Sequence, residues 1–133
     1  MKPRLSLALL PLAASLVLAG CAAPPAPPPP TGLSEVMQRP AESALLDGIR
    51  AYDDGQYAQA EQALRKALAE GLQSARDRAT AHKLLAFITC TSERLADCET
   101  QFRQARAADA SFALSRSEAG HPVWGPVYKS VTQ

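Results

Sequence analysis

Residues 48–71 read GIRAYDDGQYAQAEQALRKALAEG, and this stretch decides the fold. Its apolar residues recur at spacings of three and four, as they do along one face of an α-helix. Gly55 interrupts the pattern and Gly71 ends it, at positions where helices commonly finish on a left-handed residue. The stretch therefore predicts the end of one helix, a tight turn and a second helix.

The same helical pattern extends from Ala41 to Ala108 without a proline, and it predicts four successive helices. Only 5% of the residues in the chain are aromatic. A foldable part of about 90 residues can bury one modest core, so this core must be built mainly from Ala and Leu. The predicted helices cover residues 41–54, 57–70, 75–91 and 94–108.

An internal repeat relates the first predicted pair of helices to the second. The small and large residues of the first pair recur 38 positions later, as from Gly48 to Ala86. Small residues let two antiparallel helices approach closely, while bulky residues fill the space behind them. The matched residues are Gly48, Ala60, Leu64 and Ala67 in the first pair and Ala86, Cys98, Phe102 and Ala105 in the second.

This order of small residue, turn, large apolar residue and further small positions resembles the tetratricopeptide repeat over about 70 residues. The resemblance implies an all-α fold of two helical hairpins. In that family the first helix of each hairpin lines a concave groove that binds a peptide or a partner helix. The residues of this sequence that match the groove positions are Leu45, Ile49, Tyr52 and Asp53 in the first unit and Lys83, Phe87 and Cys90 in the second. Some of these side chains could instead belong to the core, above all Phe87.

The C-terminal segment, residues 111–133, is expected to cover the open end of the array, since two repeats are fewer than the three that such arrays normally need. Four apolar residues from Trp124 to Val131 have the spacing i, i+3, i+4 and i+7, which predicts a short helix. We expect Trp124 to pack over the fourth predicted helix. In the alternative interpretation, the stretch around His121 and Trp124 is an exposed docking motif.

The first 20 residues have the organisation of a secretory signal peptide. The apolar run Leu5–Leu18 is too short to cross a hydrocarbon core of ~30 Å comfortably. The sequence Leu18-Ala19-Gly20-Cys21 that follows resembles the bacterial lipobox. The resemblance implies that Cys21 carries a diacylglyceryl thioether and an N-linked acyl chain such as palmitate. An ordinary signal peptide with an incidental cysteine is the alternative.

A tether follows the predicted lipid anchor. Seven of the 11 prolines in the chain fall between Pro24 and Pro40, and such a stretch favours an extended polyproline II conformation. We assign residues 21–40 to the anchor and tether, 41–110 to the helical domain and 111–133 to the capping segment. Because Ala22 rather than Asp follows the cysteine, sorting to the periplasmic face of the outer membrane is expected by analogy with other lipoproteins.

The remaining cysteines, Cys90 and Cys98, lie on either side of the predicted turn between the third and fourth helices. An oxidising periplasm permits a disulfide there. Two buried free thiols are one alternative. A metal site that also uses His82 is another, but it lacks four well-placed ligands, so we expect no metal.

Several function classes are disfavoured. His82 and His121 are the only histidines, and neither belongs to a recognisable catalytic arrangement, so we expect no enzyme, cofactor or small-molecule substrate. Without Lys2 and Arg4, 12 basic residues stand against 13 acidic ones, which argues against nucleic acid as a partner.

The sequence therefore predicts a membrane-anchored protein that acts through protein partners. The favoured function is an adaptor or assembly factor for an envelope complex such as a pilus or a secretion system, including type VI. One alternative is a structural envelope lipoprotein that binds the cell wall. Another is an accessory subunit of a periplasmic enzyme, without activity of its own.

Overall fold

The computed structural model describes residues 32–132, and over that range the chain is helical and contains no strand. The all-α prediction is therefore confirmed, and the bounds of the four predicted helices agree to within one residue. The helices are α1 Leu33–Met37, α2 Pro40–Asp53, α3 Tyr57–Glu70, α4 Ala75–Thr91, α5 Leu95–Ala108, α6 Arg116–Ala119 and α7 Trp124–Thr132.

Two helical hairpins form the body of the described domain. Helix α2 pairs with α3, and α4 pairs with α5, while α3 and α4 join the two hairpins side by side. Helix α7 packs mainly against α5 and also against α4. Among the described residues, no helix is both long and apolar enough to span a bilayer.

The helices of the first hairpin approach closely because the contact positions carry small residues. A Cβ atom added at Gly48 would lie 2.8 Å from Cγ and from Cδ2 of Leu64. Ala60 and Leu64 are completely buried, as are their repeat partners Cys98 and Phe102. The small-residue positions predicted from the repeat therefore are the positions of closest packing.

The turns of the two hairpins have the same backbone conformation. Gly55 has a φ of 74°, and Glu93, which stands 38 positions later, is the one non-glycine residue of the described range with a positive φ, at 60°. In both turns the next residue donates its N–H to the carbonyl five residues earlier, at 2.8 and 2.9 Å. The internal repeat is therefore present in the backbone as well as in the sequence.

A disulfide joins Cys90, near the end of α4, to Cys98, in the first turns of α5. Their Cα atoms lie 5.1 Å apart, and both residues are buried. The bridge that the sequence allowed is therefore present, and the two alternatives of free thiols and metal ligands are not. In the chain-entropy model a loop of this length contributes about 2–3 kcal/mol to stability.

The C-terminal segment forms the expected cap. The ring of Tyr128 in α7 lies edge-on to Phe102, with centroids 5.3 Å apart, and its hydroxyl accepts a hydrogen bond from the N–H of Leu114. A capping box between Ser115 and Glu118 begins α6. Trp124 departs from expectation: it stacks on Phe87 of α4 rather than on a residue of α5.

The predicted tether ends earlier than expected. Residues 33–37, which we assigned to it, form α1, and Pro40 is the first residue of α2, where its fixed φ suits a helix start. The remainder of the tether lies outside the described residues, as do the signal peptide and Cys21.

Replacing Gly48 with Ala is expected to lower the free energy of unfolding by about 1–3 kcal/mol, because the added methyl group would overlap the Leu64 side chain and push α2 away from α3. Urea denaturation followed by circular dichroism measures this loss. Gly120→Ala is the matched control, since Gly120 has a φ of −82° and a nearest contact of 3.4 Å, so it should cost much less. Equal losses in the two variants would contradict the close-approach interpretation.

Glu93→Gly is expected to raise the free energy of unfolding by about 0.5–1 kcal/mol, because glycine adopts a left-handed conformation without steric cost. Gly55→Ala, at the equivalent turn, should lower it by about 1 kcal/mol although no atom lies within 4 Å of the added methyl group. Chemical denaturation of both variants provides the measurement. A destabilised Glu93→Gly protein would show that Glu93 makes a contact that outweighs its backbone strain.

Candidate functional site

The surface that the repeat resemblance implies as a groove is formed by the exposed faces of α2 and α4. Within it, Ile49, Tyr52 and Lys83 are half-buried and Asp53 is exposed. Leu45 and Phe87 are only 6% and 4% exposed, so both belong mainly to the core. The groove predicted from sequence is therefore shallower than expected, with a floor of core side chains.

The half of the groove along α4 is covered by the C-terminal segment. The Trp124 ring stacks on Phe87 with centroids 4.2 Å apart, and the His121 ring stacks on Trp124 at 3.3 Å. The indole Nε1 donates a hydrogen bond of 2.8 Å to the carbonyl of Glu118. Trp124 and His121 are therefore packed against the domain, which leaves Pro122, Val123 and Pro126 as the exposed residues of the predicted docking motif, residues 121–126.

An ion pair joins the covering C-terminal segment to α4. Lys83 donates to Glu118 at 2.8 Å, and the ammonium group also lies 5.8 Å from the centre of the Phe87 ring. Burial opposes ionisation of Glu118, but hydrogen bonds from Lys83 and Ser115 outweigh it and lower the pKa of its carboxyl group. Lys83 is therefore already occupied by the protein's own chain.

Tyr52 lies at the boundary between the covered and the open halves of the groove. Burial raises the pKa of its hydroxyl group, and negative charge on Tyr57, Asp53 and Glu118 raises it further. Its ring lies edge-on to Tyr57, with centroids 5.5 Å apart. Tyr52 therefore lies near two carboxylates, Asp53 at the end of its own helix and Glu118 of the covering segment.

Thr80 in α4 lines two cavities. The first, which we call the polar cavity, has a volume of about 220 Å³, and its lining includes Arg76, Lys83 and Asp109. Hydrogen bonds from Ser111, with a smaller effect from the charge of Arg76, lower the pKa of Asp109. The polar cavity therefore has one carboxylate beside two cationic side chains, of which Lys83 is paired with Glu118.

The second cavity, which we call the apolar cavity, has a volume of about 190 Å³ and lies between α1, α2 and α4. Its walls are six apolar side chains, with two carboxylates and a hydroxyl group at the edge. The apolar residues are Leu33, Val36, Met37, Leu45, Leu46 and Ile49, and the polar ones are Glu42, Asp77 and Thr80.

Sequence reasoning found two of the apolar wall residues, Leu45 and Ile49, and missed the three that α1 contributes. Their spacing of i, i+3 and i+4, directly after Gly32, is a helical signal that the neighbouring prolines obscured. Asp77 and Thr80 were missed because α4 begins about one turn earlier than α2 does in the repeat alignment, so the first turn of α4 has no counterpart there. No local signal shows that these positions face α1.

His82 takes part in an interhelical hydrogen bond. Its Nδ1–H donates to the Oε1 of Gln101 in α5 at 2.8 Å. Burial lowers the pKa of His82, and the hydrogen bond only partly opposes this effect. Within residues 32–132, no three or more His, Cys, Asp or Glu side chains are grouped so that they could hold a metal ion.

The two hairpins are held at their angle by a carboxylate shared between two arginines. Glu61 in α3 accepts from Arg94, at the start of α5, at 2.6 Å, and from Arg65, one turn along α3, at 2.7 Å. The hydrogen bond from Arg94, assisted by Arg65 and opposed by burial, lowers the pKa of Glu61 to about 2. This contact links α3 of the first hairpin to the start of α5 in the second.

Comparisons with protein-family models, with curated proteins and with solved structures give no match to this chain. The site is therefore interpreted from its own geometry: a partly covered groove with an open apolar cavity at one end.

Glu61→Gln is expected to lower the free energy of unfolding by about 1 kcal/mol near neutral pH, a value reduced by the partial exposure of Arg94. The pKa of Glu61 in the folded protein lies below its ordinary value of 4.5, so its contribution is complete above that value and is lost as the pH falls towards 2. The stability difference between wild type and variant should therefore shrink over that interval, as measured by urea denaturation at a series of pH values.

The control is Glu99→Gln, which removes a carboxylate paired at 3.3 Å with Arg103 on the exposed face of a single helix. Its stability difference should stay small at every pH. If the Glu61→Gln curve ran parallel to wild type down to pH 2, the network would not be holding the two hairpins together.

Proposed function

We propose that this protein is a lipid-anchored periplasmic adaptor whose tetratricopeptide-like hairpins hold a segment of a partner protein in an envelope complex. The complex could be a pilus or a secretion system, including type VI. In this proposal Cys21 carries the lipid anchor at the periplasmic face of the outer membrane, and residues 21–31 form the tether to the helical domain.

The observation that carries the proposal is the unequal use of the groove. The half along α4 is filled by Trp124 and closed by the Lys83–Glu118 pair, whereas the half along α2 is open over the apolar cavity. Leu33 is 75% exposed and Met37 is 43% exposed at its edge. A concave apolar surface with a polar rim is the usual form of a protein interaction site.

The arrangement of the chain also supports an adaptor that acts near a membrane. Helix α1 follows the proline-rich stretch and contributes to the apolar cavity. If Cys21 is lipidated, the residues between it and α1 span at most about 40 Å in a polyproline II conformation. A partner bound in the open groove would then be held close to the membrane surface.

The test is photo-crosslinking in living cells with benzoylphenylalanine at position 49, because Ile49 lines the open groove. A single envelope-complex protein is expected to dominate the crosslinked products identified by mass spectrometry. The matched control carries the same probe at Gln104, an exposed position on α5, and should give no dominant product.

The alternative function, cell-wall binding, predicts a different result. Recovery of peptidoglycan fragments alone from position 49 would reject the adaptor and favour a structural lipoprotein. The same cells test the anchor: Cys21→Ser should move the protein from the membrane fraction to the soluble periplasmic fraction. A Cys21→Ser protein that stays in the membrane fraction would contradict lipidation at that residue.

A further inference from the structure

We propose that the apolar cavity receives one large apolar side chain from a partner segment and that Asp77 binds a lysine or arginine located within one helical turn of that side chain. The inference rests on the proposed function, and it specifies the chemistry of the segment that the groove holds.

The size and lining of the apolar cavity favour a single side chain. Its volume of about 190 Å³ is below the range of ~300–1,000 Å³ that is typical of small-molecule sites. Six of the nine lining residues are apolar, and two of the three polar ones are already engaged: the Thr80 hydroxyl donates to the carbonyl of Arg76, and Glu42 is paired with Arg39. The part of the partner that enters should therefore be apolar. A leucine, methionine or phenylalanine side chain meets both conditions.

The charge at the edge of the apolar cavity favours a cation beside that side chain. Of the two carboxylates, Glu42 is already paired with Arg39 at 3.8 Å, and its side chain is only 8% exposed. The carboxylate of Asp77 forms no ion pair within 4.0 Å among the described residues. Asp77 lies in the first turn of α4, where a helix favours negative charge, and a partner meets there a carboxylate that has no cationic side chain of residues 32–132 paired with it.

No positive group of the groove competes for Asp77 in the pairs observed. Lys83 is bound to Glu118, and Arg76 lines the polar cavity, near Asp109. The half-buried position of Asp77 also means that a cation bound there would be screened less than one at a fully exposed site.

Helix α1 contributes to the apolar cavity without being buried itself. None of its residues is buried, yet Leu33, Val36 and Met37 form one wall of the apolar cavity. An apolar side chain inserted between α1 and α2 would cover the surfaces that α1 leaves exposed. The open surface therefore fits a partner side chain that completes the packing of α1 on the domain.

The test is selection of peptides from a phage-displayed library of random dodecapeptides on the full-length protein, purified in detergent. The wild-type pool should be enriched in sequences with a large apolar residue and a lysine or arginine within four positions of it. Selection on Asp77→Lys should replace that cation with Asp or Glu, and selection on Ile49→Arg, which fills the cavity with a charge, should yield no enriched pool.

Fluorescence polarisation with one fluorescein-labelled peptide from the wild-type pool then measures how much each substitution weakens binding. Asp77→Asn should weaken binding about fivefold, and the double variant Leu33→Ser/Met37→Ser about tenfold or more. The control Glu70→Lys makes the same change of charge as Asp77→Lys at an exposed position outside the groove and should leave affinity unchanged. Circular dichroism verifies that each variant is folded. If Asp77→Lys does not fold, the affinity of Asp77→Asn tests whether Asp77 binds the cation.

The inference is overturned if no pool is enriched on wild type, if the wild-type pool lacks basic residues, or if Asp77→Lys selects the same sequences. These outcomes are separable from failure of the proposed function. A dominant envelope protein crosslinked from position 49, together with peptides that lack a cation, would leave the adaptor standing and reject only the role of Asp77. Recovery of peptidoglycan fragments alone would reject the adaptor whatever the peptides contain.

Discussion

The stack of Trp124 on Phe87 is the contact on which the rest of the domain depends. Two hairpins leave the outer surface of the second one uncovered, and a chain with so few aromatic residues has little else with which to cover it. Phe87 lies edge-on to Phe102 of α5, with centroids 6.2 Å apart, and face-on to Trp124. The same ring therefore joins α4, α5 and the C-terminal segment, alongside the contact of Tyr128 with Phe102 and the Lys83–Glu118 ion pair.

The two hairpins achieve close packing by different means. In the first, Gly48 and Ala60 allow the approach of α2 to α3, and Gly55 makes the turn without strain. In the second, Cys98 replaces the alanine, and Glu93 holds the turn in a left-handed conformation that disfavours side chains. The Cys90–Cys98 disulfide spans that turn and so keeps the backbone in the conformation that Glu93 by itself would resist.

The C-terminal segment covers one half of the groove, so the two halves differ in their access to solvent. Because Trp124 and the Lys83–Glu118 pair occupy the half along α4, the half along α2 stays open, and α1 adds a wall to it. In the proposed function, the segment that follows the proline-rich stretch is thus part of the binding surface. Membrane attachment, if Cys21 provides it, and partner binding would then act on the same five-residue helix.

Most of the fold could be predicted from patterns in the sequence. The three- and four-residue spacing and the glycines that end helices depend only on near neighbours in the chain, and the 38-residue offset is found by comparing one part of the sequence with another. Together they predicted four helix ranges, the hairpin pairing and the position of the disulfide. The shape of the site depends on residues far apart in sequence. Whether Phe87 faces solvent is decided by Trp124, and whether Lys83 is free is decided by Glu118, 35 positions away. The sequence by itself thus determined the helices and their repeat, whereas only the tertiary structure decided which half of the groove stays open, because burial depends on what packs on a surface from elsewhere in the chain.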